Sequence, residues 1–227
     1  MADPDTVTYT SKSVLRWGGL SLLASSLCLV VFILLVGITK QTLPIPAVEA
    51  LEVPMGPMAL FLIAVVGELL LLPGGLALYV WLESDHKAAA MFATAFWSLA
   101  VTLFMVSRGQ LFSLWMLSER YIDAAGTPDQ WVITASAEQA LTVQNVYATM
   151  ALTLLSLASI LYGSLMVKGS EDRLIGWVAI VAGILSLYAP FAVVMEVPPA
   201  ISLAGLMFGA VWQLSAGFKL FRSGADG

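Results

Sequence analysis

Apolar residues along the chain gather into six long runs, over residues 14–38, 58–81, 88–107, 146–167, 174–195 and 200–221. Each is about 20 residues long, the length an α-helix needs to cross a hydrocarbon core. No strict two-residue alternation marks barrel strands, and lipid offers no partner to open backbone groups. The pattern predicts an all-α fold: a polytopic membrane bundle of six transmembrane helices, forming a single integral membrane domain over residues 1–227.

The stretch between the third and fourth runs, residues 108–145, reads differently. It is rich in helix formers and is interrupted once, at Gly126-Thr127-Pro128. Gly126 suits the position after a helix end, Thr127 an N-cap and Pro128 a first helical residue. Gln130 completes a capping box with Thr127. Helices three and four are therefore expected to outgrow the membrane and meet in a tight turn near Gly126. Each arm would project roughly 25–30 Å at 1.5 Å per residue. The competing reading breaks helix three at Gly109 and lays residues 111–122 flat on the membrane. Residues 41–57 carry Pro44, Pro46, Pro54 and Pro57 and are expected to be irregular or extended.

Composition strengthens the membrane assignment. The 227 residues are 59% hydrophobic and only 11% charged, against roughly 25% charged in a soluble domain. Met1–Thr10 carries Asp3 and Asp5 rather than a basic leader, so the first run is expected to stay as a helix. The ten Lys and Arg are scattered at a net charge of −5, which argues against a nucleic-acid partner. One cysteine, Cys28, and one histidine, His86, leave no disulfide framework and no multi-histidine metal or haem site. No metal and no cofactor is expected; membrane lipid is the expected surrounding.

Basic residues set an orientation. With the N-terminus inside, Lys12, Arg16, Lys87, Lys168, Arg173, Lys219 and Arg222 face the cytoplasm, and Lys40, Arg108 and Arg120 face outward. That asymmetry favours a multi-pass cell-membrane protein with both termini cytoplasmic.

Glu68 is the sharpest candidate for chemistry. It lies near the middle of the second run, where a charged residue costs roughly 2.5–3.5 kcal/mol on insertion scales. It should face the bundle interior, as a neutral acid in apolar surroundings. It is either a proton relay, a partner for a cation or a catalytic acid, or simply a structural hydrogen-bonding group. Pro73-Gly74-Gly75 follows five residues later, and Tyr188-Ala189-Pro190 sits similarly in the fifth run. Pro73, Gly74, Gly75 and Pro190 are expected helix breaks. Broken helices at matching positions of two halves are also what an inverted repeat would show.

Small and polar stripes mark the remaining interior faces. They include Ala90, Thr94, Ser98 and Thr102 on helix three, and Asn145, Thr149 and Thr153 on helix four. Helix six has Gly205, Gly209, Gln213 and Gly217. Close packing explains such residues, and Gly205, Gly209 and Gly217 are the expected packing positions. A polar cavity gathered from Glu68, Gln213, Asn145, Thr149 and Ser98 is the sharper alternative. Arg108, Glu119, Arg120, Asp123, Glu138 and Glu196 are expected as a charged surface around the hairpin root.

Leu76-Ala77-Leu78-Tyr79, Asp172-Arg173-Leu174-Ile175-Gly176 with Ala182-Gly183, and the closing Trp212 to Lys219 stretch resemble an uncharacterised prokaryotic six-helix membrane family, domain-of-unknown-function family 4386. The chain departs from it at Phe61-Leu62, where that family often has an Arg-Leu pair. The resemblance implies six helices and carries no activity with it.

No GxSxG, HExxH or P-loop occurs, which weighs against an enzyme. The leading expectation is binding or transport of a small or hydrophobic ligand around Glu68. The alternatives are an accessory or scaffold subunit of a larger membrane complex, possible also as a homo-oligomer, and an intramembrane enzyme that modifies a lipid or isoprenoid.

Overall fold

The computed structural model describes residues 4–39, 47–52, 55–168, 172–188 and 199–225. The described elements are all helices: α1 (Pro4–Thr39), α2 (Ala47–Glu52), α3 (Met55–Asp123), α4 (Asp129–Lys168), α5 (Arg173–Ser186) and α6 (Pro199–Ala225). Five stretches among them are long and apolar enough to cross a membrane: Ser11–Leu35, Leu62–Glu83, His86–Asp123, Asp129–Lys168 and Leu203–Ala225. α5 is equally apolar but has only 14 residues, about 21 Å at 1.5 Å per residue. The expected fifth span runs on into residues outside the described set, and Pro190 with it.

α3 holds two spans in one 69-residue element. They are separated by a single non-helical residue, His86 (φ −144°, ψ 53°), so the short connection expected there is a bend. α1 packs on α3 and α6, α4 on α3 and α5, and α5 on α6. Those neighbours close a ring, and its apolar core centres on Trp97, Tyr162 and Trp212, each at most 1% exposed. Trp97 meets Tyr162 and Trp212 edge-on, with ring centres 5.9 and 5.5 Å away.

The expected break at Pro73, Gly74 and Gly75 requires correction: the helix continues through all three. Proline denies the Leu69 carbonyl its usual helical donor. Side chains crowd on the neighbouring carbonyls instead. Ser21 donates to the Leu70 oxygen (2.7 Å), the Trp97 indole to Leu71 (2.7 Å) and the Tyr162 hydroxyl to Gly75 (3.2 Å). The two glycines serve approach rather than opening. A Cβ on Gly75 would stand 2.5 Å from Trp97 Cδ1, and one on Gly74 would collide with Leu22.

The helical hairpin forms as the pattern predicted. α3 passes through Gly109 without interruption and ends at Asp123, and α4 begins at Asp129. Gly126 takes the left-handed conformation (φ 77°) that glycine tolerates best. The Gln130 side chain reaches back to the Gly126 N–H at 3.3 Å, not to that of Thr127. The Thr127 hydroxyl donates to Ala124 instead, at 2.8 Å, so the expected capping box is replaced by a turn. Leu114, Ala137 and Ala140 seal the arms, and α2 lays Ala47 and Leu51 against them. The segment expected to be irregular thus contains a helix that closes the hairpin root.

Candidate functional site

Glu68 lies well inside an apolar helical stretch, thirteen residues on from Met55, where α3 begins, and fifteen before Glu83. Its partner is Arg108, an apparent surface residue by sequence. Arg108 Nε stands 3.1 Å from each Glu68 carboxylate oxygen, and Nη2 stands 2.5 Å from Oε1. The two side chains are 17% and 13% exposed. A guanidinium fork on a carboxylate is the strongest common form of ion pair, and pairing makes charge tolerable at this depth.

The pair forms part of the wall of a cavity of about 220 Å³. Apolar side chains make most of the remainder: Leu29 and Phe32 from α1, Phe104 from α3, Leu152 and Leu155 from α4, Leu206 from α6. Ser25, Cys28 and Gln213 add polar atoms. The Ser26 hydroxyl donates to Gln213 Oε1 at 3.4 Å, which fixes the carboxamide and leaves its NH₂ as a donor. Gly67 lets α1 come close, since a Cβ there would stand 2.9 Å from Cys28 Cβ. Such a space, mostly apolar with a few converging polar groups, can hold a small molecule by burial and orient it by one polar tip.

The structure gathers two of the five expected ligand-site residues, Glu68 and Gln213, on one cavity. It does not bring in the others. Asn145 is exposed; Thr149 and Ser98 are half-buried and do not line this cavity. Their backbone carbonyls accept bonds from Thr153 (2.8 Å) and Thr102 (3.0 Å), as hydroxyls four residues on bond back along a helix. Of the packing glycines, Gly217 and Gly205 do meet neighbours: a Cβ would stand 2.9 Å from the Gly19 oxygen and 3.2 Å from Ser186 Oγ. Gly209 departs from that expectation, because a Cβ there would meet nothing within 4 Å.

Sequence reasoning missed Arg108 because it counted the residue as the edge of an extramembrane stretch. The signal was available. Ala93, Trp97, Val101, Phe104 and Arg108 recur at three- to four-residue spacing, and the first four are buried. Glu119, Arg120, Asp123 and Glu138, placed with it in one charged surface, are exposed on the hairpin; Glu196 lies outside the described residues. Among the described residues, no group of three His, Cys, Asp or Glu stands together as a metal site.

No curated protein and no solved structure matches the chain. A family described as a domain of unknown function (DUF4386) matches residues 47–224, from α2 through nearly all of α6. That span takes in Glu68, Arg108 and Gln213, and the chain belongs to this family.

Proposed function

We propose that the protein binds a small, largely apolar molecule of the membrane in the cavity beside Glu68 and Arg108, to hold it or to pass it on. One observation carries the reading: a forked ion pair lies on the wall of an otherwise mainly apolar space within membrane-spanning helices. A buried ion pair is poor value as mere filler, since apolar residues of similar size often stabilise as well or better. A charged pair beside an unfilled space supports recognition of a polar tip.

The test is native mass spectrometry of the protein released from mild detergent. Wild type should carry a lipophilic small molecule. Glu68→Gln should lose or exchange it while the protein elutes unchanged in size. Identical bound species in wild type and in a Glu68→Leu, Arg108→Met double variant would sink the reading.

A second reading, an accessory subunit that docks through its hairpin, draws on Ile122, Trp131 and Val132, which stay exposed near the turn. It expects a larger assembly on gentle extraction that collapses when Trp131 and Val132 become serine. Both termini are placed in the cytoplasm, on the bias of basic residues. Cysteines introduced near Lys12 and at Glu119, in a Cys28→Ser background, should react with impermeant reagents from opposite sides.

A further inference from the structure

A smaller chamber of about 60 Å³ adjoins the cavity of the Glu68–Arg108 pair. Leu29, Leu152, Leu155, Leu206 and Gln213 line both spaces, so the two share a wall. The smaller chamber is more polar on its far side, where Ser156, Ser159, Ser186 and Trp212 line it.

Trp212 is 1% exposed, and its indole nitrogen is the one buried side-chain N or O without a hydrogen-bond partner among the described residues. Buried polar groups nearly always have partners, and tryptophan in particular usually finds one. None of the described residues accepts a bond from it. The Ser156 and Ser159 hydroxyls that share its chamber turn their protons to the Leu152 and Leu155 carbonyls of their own helix, at 2.6 and 2.8 Å, and accept nothing from the indole. Space is left beside it as well: Gly209, on the same wall, has no heavy atom within 4 Å of where a Cβ would stand.

An indole can only donate. Its complement is therefore an acceptor oxygen. Among the described residues no Lys, Arg or His lines this chamber, so none of them would balance a carboxylate or phosphate there. We propose that this chamber takes the uncharged carbonyl oxygen of an apolar ligand, a ketone or an ester, with Trp212 N–H as its donor. The ligand's hydrocarbon lies across the shared wall, among Leu29, Leu152, Leu155 and Leu206. This deepens the ligand-site reading above and rests on it: it names the ligand as neutral and carbonyl-bearing.

The shared chemistry has two sources, the ester group of a membrane lipid and a free ketone, and the test separates them. The full chain is placed in nanodiscs of ether-linked phosphatidylcholine, which has no ester carbonyl, with its tryptophan indoles labelled with nitrogen-15. Trp212→Phe identifies the Trp212 resonance. Binding of carbon-14-labelled 2-decanone and decane is measured in parallel. Both should bind saturably, but only 2-decanone should move the Trp212 N–H signal. Trp212→Phe should weaken 2-decanone about fivefold, the worth of one ordinary hydrogen bond, and leave decane unchanged. Gly209→Val, which fills the chamber from an open position, should abolish the shift without lowering the melting temperature. A shift already present in ester-linked nanodiscs assigns the carbonyl to lipid.

Saturable binding of both probes with an unmoved Trp212 signal overturns the carbonyl assignment and leaves the cavity reading standing. Saturable binding of neither overturns the cavity reading, and this inference with it.

Discussion

Two layers of the bundle, stacked along the same helices, solve the problem of an interior in opposite ways. Around Trp97 the helices close on large rings. Gly75 removes a side chain where the Trp97 indole needs room, and the Trp97 and Tyr162 polar tips bond to carbonyls of the facing helix. Toward the hairpin, around Glu68, the helices leave a cavity between them, and the polar groups bond to one another on its wall. Leu71 belongs to both layers: its carbonyl anchors Trp97 and its residue lines the cavity. The difference lies in what stands opposite each small residue. Gly75 faces a ring and Gly217 a backbone, and both pack; Gly209 faces neither, and space remains.

That contrast can be broken in graded steps, each read as unfolding in detergent. The largest effect belongs to the polar layer. Glu68→Ala leaves Arg108 buried without a counter-charge and should cost about 3–5 kcal/mol, whereas Glu68→Leu with Arg108→Met should recover most of it. If the single and double variants are equally unstable, the pair is structural glue rather than a tolerated expense. Next comes the closed layer. Gly75→Ala drives a methyl into the Trp97 ring and should cost about 1–3 kcal/mol. A smaller loss, about 1 kcal/mol, is expected for Tyr162→Phe, which removes the bonds to Thr94 (2.8 Å) and Gly75. Gly209→Ala completes the series: with nothing to strike, it should leave stability unchanged or raise it by under about 1 kcal/mol, through helix propensity. Equal losses at Gly75 and Gly209 would erase the distinction between the layers.

Much of the architecture was readable from the pattern of apolar runs, because lipid permits so few backbone arrangements. The hairpin was readable too, since Gly126 and Pro128 leave little choice about where two helices meet. The failures are local and share a cause. Pro73-Gly74-Gly75 looked like a break because proline and glycine disfavour helix in water. Here the Trp97 indole and the Tyr162 hydroxyl, on other spans, bond to carbonyls on either side of the proline, and no local pattern announces them. Asn145, Thr149 and Ser98 were drawn into the site by polarity, yet two of those positions only carry back-bonded helical turns. Glu68 was found because charge in an apolar run is conspicuous. Arg108 was lost because the same charge at the end of a run looks like a surface.

The single bend at His86 has a consequence for how the protein is made. The spans carrying Glu68 and Arg108 are consecutive and joined without a loop, so each charge finds its counter-charge in the very next span. Entering lipid as a connected pair, they can cancel before any other helix arrives. A ribosome paused between them would leave a lone carboxylate for the insertion machinery to hold. The order of the two spans along the chain thus sets when the pair can form: the Glu68 carboxyl has its counter-charge only once the second span stands beside the first.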